Sequence, residues 1–378
     1  MFRFLTKRNL RHAGLMVIGG IGGWLLSSTG LPAGWMIGAM FVSAALTFWK
    51  PDWFHVDQKG IRPFWRQAGQ WLLAIEMGHQ VNRSIWLTLF KHGPIIFSVL
   101  LVSIGMSLLC GWALWRYSRT DLLTGLFAST PGGISAMPNL AEEVGANPIV
   151  VSVVQLIRLS LVVGAIPLLA FEYVGHPSSH AVISHAGNGS PLVTVLLACA
   201  AWIGAIAGKR LKFPAPWLVG GILGAAIAQT TVSVWIGHDV LPWWTDAFFF
   251  TAQVLIGTSI GSKVNREQLR EAKSAALVGS ITSLILVLVM VFCAVVISKW
   301  TNIPLTTSLF AMAPGGIAEM AMTSVSFHAN ATFVVTVQIL RFLTVMVMLP
   351  PLLRLVYRKT VNPKSDRQKV THQEKKVS

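Results

Sequence analysis

The chain has 378 residues, of which 53% are hydrophobic and only 12% charged, with a mean hydropathy of +0.63. So few charged side chains do not cover a water-facing surface, which excludes a soluble globular domain and points to an integral membrane protein. The net charge of +16 does not mark a nucleic-acid binder, because the basic residues collect at the chain ends and in short connections, where Lys and Arg set topology and attract anionic lipid headgroups.

In chain order, residues 1–12 form a basic start with Arg3, Lys7, Arg8 and Arg11. The apolar stretch after it has the marks of a signal peptide. Its sequence recurs later in the chain, however, so it reads as part of the fold. Apolar segments follow at 13–29, 32–49, 65–80, 93–115, 121–141 and 148–174, and again at 191–208, 214–236, 244–262, 274–298, 305–326 and 331–353. Continuous runs of this kind predict helices that cross the hydrocarbon, which takes about 20 residues. The alternating strands of a membrane barrel are absent from the pattern, so the fold class is all-α and polytopic. Residues 175–190 read as an external linker. Those from 356 to 378 read as a basic cytoplasmic tail, too polar beyond Asn362 to order itself.

The two sets of six are one unit written twice. Ser129-Thr-Pro-Gly-Gly-Ile-Ser-Ala-Met137 returns as Met312-Ala-Pro-Gly-Gly-Ile-Ala-Glu-Met320, and the same offset of 183 carries Phe127 onto Phe310, Asn147 onto Asn330, Gln155 onto Gln338 and Arg158 onto Arg341. Gln70, Gly78, Val81, Asn82 and Arg83 return as Gln253, Gly261, Val264, Asn265 and Arg266; Pro32, Trp35 and Gly38 return as Pro214, Trp217 and Gly220. The repeats are therefore 13–174 and 191–355.

Basic residues alternate between the repeats. The junction at 27–34 is uncharged while its counterpart is Lys209-Arg-Leu-Lys212; the next connection holds Lys50, Lys59, Arg62 and Arg66 while its counterpart at 236–246 has no Lys or Arg. Under the positive-inside rule the halves insert in opposite senses, which requires an odd number of crossings in each. Pro-Gly-Gly breaks a helix, so 121–141 and 305–326 are predicted to be re-entrant hairpins, with crossing broken helices as the rival. About five crossings per half remain, and both termini lie in the cytoplasm.

A broken helix at membrane depth must be buried in protein or line a watery cavity. In inverted-repeat transporters such breaks aim helix N-termini at anionic groups and free carbonyls at cations. Pro131, Gly132, Gly133, Pro314, Gly315 and Gly316 are therefore candidate substrate-binding positions. Gln155 and Arg158, and their repeats Gln338 and Arg341, put a Gln and an Arg on one helix face about ten residues into the membrane, where an unpaired charge is costly. Two roles are open: recognition of an anionic, carboxylate-bearing solute through the guanidinium fork, or tying down carbonyls left free by the neighbouring break.

Two carboxylates break the symmetry. Glu319 stands where the first repeat has Ala136, and Glu76 where the second has Ser259. They are candidate ion-coupling residues, either by proton exchange or by holding Na⁺, with neutralisation of Arg341 or Arg158 as the structural alternative. Asn147 and Asn330 read as helix caps. Gly19/Gly23, Gly204/Gly208 and Gly220/Gly224 read as close helix packing, and Cys110, Cys199 and Cys293 as packing residues. His176, His180 and His185 offer at most a weak metal site. No catalytic constellation, cofactor fingerprint or metal-ligand set emerges.

These motifs resemble the bacterial AbrB membrane-protein family, whose duplicated domain opens on Leu-Pro-Ala-x-x-Leu-x-Gly and continues with Pro-Gly-Gly and Gln-x-x-Arg. Here the elements are Leu31 to Gly38, Pro131 to Gly133 and Gln155 to Arg158, then Phe213 to Gly220, Pro314 to Gly316 and Gln338 to Arg341. Met36 and Phe213 depart from the opening pattern and stay apolar. The likeness covers residues 13 to 355. It implies a bacterial inner-membrane protein of a family labelled both as regulators of gene expression and as ammonia monooxygenases. The chain does not resemble the small DNA-binding regulator of the same name, nor a copper or iron oxygenase. The expected function is a secondary transporter of a small anionic organic solute driven by H⁺ or Na⁺, with a membrane-bound sensor as the alternative and a membrane oxidase a distant third. The expected partners are the solute or ion, an anionic lipid bilayer and a second copy of the chain as a homodimer; nucleic acid is not among them.

Overall fold

The computed structural model describes residues 7–49, 53, 60–78, 84–131, 136–174, 190–236, 243 and 246–360. Gly132, Gly133, the linker before Ser190 with its three histidines, and the tail beyond Thr360 lie outside the described residues. The described chain is helical and holds no strand. The helices are α1 (Lys7–Ser27), α2 (Gly34–Trp49), α3 (Pro63–Gly78), α4 (Ser84–Tyr117), α5 (Leu122–Ser129), α6 (Ala136–Glu143), α7 (Pro148–Val174), α8 (Pro191–Arg210), α9 (Pro216–Ile236), α10 (Asp246–Gly261), α11 (Arg266–Glu271), α12 (Lys273–Thr301), α13 (Leu305–Met312), α14 (Ile317–Ser326) and α15 (Ala331–Thr360).

Local chemistry sets many of the boundaries. Proline opens α3, α7, α8 and α9, where its missing N–H is not needed. Asp121 caps α5 by accepting from Thr124 N, and Asn265 caps α11 by accepting from Glu267 N and Gln268 N. Among the described residues, six stretches have the length and apolarity to cross a membrane, from the 18 residues of Ala331–Met348 to the 29 of Lys273–Thr301. Their outer faces carry exposed Leu109, Ile203, Ile227, Leu288 and Phe292. A water-soluble protein does not display apolar surface on that scale. Cys110 and Cys293 are buried together with Leu286 and Met290, as packing residues would be, whereas Cys199 is exposed on the outer face of α8.

The halves exchange helices reciprocally. α2 of the first half lies on α10 of the second, and α9 of the second lies on α3 of the first. Trp35 stacks on Phe250 with centroids 5.0 Å apart, and Trp71 meets Trp202 edge-on at 6.0 Å. Small residues make this close approach possible. A Cβ on Gly204 would stand 2.2 Å from the carbonyl oxygen of Gly220, and one on Gly23 would stand 2.6 Å from that of Trp35. The Gly-x-x-x-Gly spacings thus mark helix contacts, as the sequence predicts. In the rest of the molecule α12 packs on both α4 and α7, and α15 on α4.

Candidate functional site: two pinned hairpins and one charged cluster

Each Pro-Gly-Gly motif lies between two short helices, α5 and α6 in the first repeat and α13 and α14 in the second. In the second repeat α13 ends at Met312, residues 313–316 break the helix, and α14 begins at Ile317. The two arms hold 8 and 10 residues, far too few to span a bilayer. The chain leaving α14 returns to the start of α13, where Asn330 N donates to Thr307 Oγ1 at 3.2 Å. The first repeat closes the same way, with Asn147 N donating to Thr124 Oγ1 at 2.8 Å. These two bonds define hairpins and dispose of the crossing alternative. Asn147 and Asn330 then cap the long helices α7 and α15, accepting from Val150 N and Phe333 N.

The helix following each hairpin pins its break. Gln338 Nε2 donates to the carbonyls of Phe310, Ala311 and Ala313 at 3.0, 3.3 and 3.0 Å. Arg341 Nη1 donates to Met312 O and Ala313 O at 3.3 and 2.8 Å, and Nη2 to Gly315 O at 3.3 Å and to Gln338 Oε1. The first repeat copies the scheme: Gln155 Nε2 donates to Phe127 O and Thr130 O at 3.1 and 3.2 Å, and Arg158 Nη1 to Ser129 O at 2.5 Å. These are the carbonyls a helix ends with unsatisfied. Of the two roles open to the arginines, tying down the break is the one displayed by the hydrogen bonds, and among the described residues neither arginine has a carboxylate as a hydrogen-bond partner. Gln155 Oε1 and Arg158 Nε remain buried without a hydrogen bond among the described residues.

The hairpins also meet the opposite half. A Cβ on Gly315 would lie 3.1 Å from Val162 of α7, one turn beyond Arg158, and Arg158 and Arg341 lie within electrostatic reach of one another. Leu159, Val162, Val163 and Ile166 of α7 share one apolar cluster with Phe310, Met312, Met320 and Met322, while Val345 of α15 is buried among Phe127, Ala128 and Met137. Pro131 and Pro314, at the two breaks, are buried.

Glu319 is fully buried in the first turn of α14, but its partner is not the one expected from the sequence. Its Oε1 accepts from Arg66 Nη2 at 2.6 Å, so neutralisation by Arg341 or Arg158 is corrected to an ion pair with α3 of the other half. Arg66 reads as a loop charge in the sequence because it follows Lys59 and Arg62. The structure puts it on the first turn of α3, facing the break. Glu319 Oε2 has no hydrogen bond among the described residues and folds back over Gly316, where a Cβ would come within 2.0 Å of it. Lys263, in the turn after α10, joins the same field: its amine interacts with both Arg66 and Glu319. Glu76 is buried on α3, but ten residues past Arg66, about 15 Å along the helix. It belongs to the end of α3 that packs on α9, and the structure does not bring it to Glu319.

The fold and this arrangement define an all-α, multi-pass membrane protein built around two buried, pinned helix breaks. The chain belongs to the AbrB family: the profile described as "Transition state regulatory protein AbrB" matches residues 56–357. It is similar to "Uncharacterized protein YhjN" of Bacillus subtilis (strain 168), 42% identical over 359 residues that cover 92% of this chain and 94% of that one. It is also similar to "Putative regulator AbrB" of Escherichia coli (strain K12), 28% identical over 294 residues, covering 76% and 82%. No solved structure matches the chain.

Proposed function

We propose that the protein is a secondary transporter that carries a small anionic organic solute across the bacterial cytoplasmic membrane, coupled to H⁺ or Na⁺. The observation that carries this reading is the pair of buried, non-helical breaks that meet the partner half of the fold around an excess of positive charge. Arg158 and Arg341 lie within electrostatic reach of one another, Arg66 pairs with Glu319 beside the second break, and a buried surplus of cations favours a site completed by an anion. Buried polar atoms without a hydrogen bond, Gln155 Oε1, Arg158 Nε and Glu319 Oε2, lie at the breaks where a solute or ion would bind. The alternating Lys/Arg pattern of the connections supports opposite insertion of the two repeats, with the hairpins re-entering from opposite faces and both termini in the cytoplasm.

Reconstitution into proteoliposomes tests the reading. Uptake of at least one labelled mono- or dicarboxylate under an imposed H⁺ or Na⁺ gradient is the expected result, and absence of flux and binding across a broad carboxylate panel removes it. The names of the family and of the Escherichia coli relative favour a second reading, a membrane-bound regulator that signals through its basic tail. Deleting residues 362–378 abolishes function on that reading and spares uptake on the first.

A further inference from the structure

The charged residues beside the second hairpin come from three separate elements, and none has a charged counterpart in the other repeat. At the offset of 183, Arg66 corresponds to Phe249, Lys263 to Gln80 and Glu319 to Ala136. A duplicated sequence that repeats its Gln and Arg pins has thus placed charge at these three positions in one copy only.

We infer that Arg66, Lys263 and Glu319 form a proton-exchange site, in which Lys263 binds and releases the coupling proton and the coupling ion is H⁺ rather than Na⁺. The inference rests on the transporter reading for its purpose and on the cluster geometry for its chemistry. Na⁺ needs an oxygen cage of net negative charge. Here the one carboxylate already accepts from the Arg66 guanidinium at 2.6 Å and feels the Lys263 amine, so a further cation is repelled. A lysine amine, unlike a guanidinium, readily gives up its proton when buried. Partial burial, followed by repulsion from Arg66 and offset in part by Glu319, pushes the Lys263 amine down to about 7.

Gly60, at φ +82, lies against this lysine: a Cβ there would come within 2.8 Å of Lys263 Cγ, and Ser262 Oγ beside it accepts from Ile61 N at 3.1 Å. The lysine is thus braced by the chain that leads into α3, while its partial exposure leaves a route to water. Among the described residues, the charged groups acting on its amine are Arg66 from α3 and Glu319 from α14. Arg266 on its own segment is turned onto the ring of Phe48 at 5.9 Å.

The step is simple. Below pH 7 the ammonium form gives the cluster a charge of +1, which an arriving anion neutralises. On release an N–H bond breaks, the electron pair stays on Nζ and water takes the proton. Solute and proton therefore move together.

The test is the pH profile of Lys263 acylation in the purified full-length protein, pulsed with isotopic acetic anhydride and read by peptide mass spectrometry, with exposed Lys212 as reference. A midpoint near pH 7 for Lys263, against about 10.4 for lysine in model peptides, is expected. Glu319→Gln removes the one group that holds the amine up, so its midpoint should fall further. Should that variant not fold, the wild-type profile decides. A Lys263 midpoint above about 9 overturns the proton site and leaves the transport reading intact. A midpoint near 7 in a protein that moves no solute removes the transport reading and retains the site.

Discussion

Gly316→Ala is the substitution with the sharpest structural prediction. Gly316 has φ −85° and ψ 152°, an extended conformation open to any residue, so alanine brings no backbone strain. By reducing the freedom of the unfolded chain it should even stabilise by about 0.4–1 kcal/mol. The obstacle is Glu319. The new methyl would lie 2.0 Å from Oε2 and 2.8 Å from Cδ, so the carboxylate must retreat by about 1.4 Å to reach ordinary contact. In a packed site such overfilling costs about 1–3 kcal/mol. The retreat also strains the 2.6 Å bond from Arg66, a charge-assisted bond of about 1.5–3 kcal/mol. A net loss of about 1–4 kcal/mol is expected, and it should vanish in a Glu319→Ala background, where nothing opposes the methyl. A double-mutant cycle of reversible denaturation in detergent measures this, with a coupling of at least about 1 kcal/mol expected. Equal cost of Gly316→Ala in both backgrounds would refute the placement of the carboxylate over the break.

Four other outcomes follow from the same geometry. Gln338→Leu removes the donor to three carbonyls and should destabilise by about 2–4 kcal/mol while exposing residues 313–316 to hydrogen exchange; unchanged protection there speaks against pinning. Arg341→Lys keeps the charge but loses the planar fork that reaches Met312, Ala313 and Gly315, so uptake and stability should fall together, whereas retention of both would show that charge alone suffices. His328 sits at φ +52° where the first repeat places Gly145 at φ +78°, so His328→Gly should raise stability by about 0.5–1 kcal/mol, measured by thermal unfolding in detergent. Because Lys263 is protonated below about pH 7 and neutral above it, anion uptake should rise as pH falls through 7; Lys263→Arg, always charged, should flatten that profile, and an unaltered profile counts against the lysine.

The helices were legible because hydrocarbon imposes a simple code of length and apolarity. The breaks were legible because Pro-Gly-Gly cannot continue a helix. Duplication supplied the rest: Gln155 and Arg158 recur with their hairpin at fixed separations, and the bonds made by Gln338 and Arg341 reproduce them. The short helix α11 was missed because its six residues, all charged or polar but Leu269, carry no apolar period; its sequence signal is the capping Asn265. Arg66 was misread for a physical reason too. Loop charges and first-turn charges look alike in sequence, and only the packing of α3 against the second hairpin turns this one inward. Lys263 gave no signal at all, since its neighbours are 197 and 56 positions away along the chain.

What the repeats share and where they part divide the labour within the fold. Shared residues make backbone hydrogen bonds: the Gln and Arg pins and the Thr–Asn closures hold two hairpins in one shape, and their loss should damage both halves alike. Unshared residues make an ion pair across the halves. Arg66 comes from the first repeat and Glu319 and Lys263 from the second, so the charged cluster exists only while α3, the turn after α10 and the α14 break stay together. Any motion that separates these elements must break a 2.6 Å charge-assisted bond to a fully buried carboxylate, and such a group is not left ionised without a partner. On the transporter reading, such a movement must therefore supply the carboxylate with a replacement partner, and that requirement falls on the second hairpin, where Glu319 stands without a counterpart in the first.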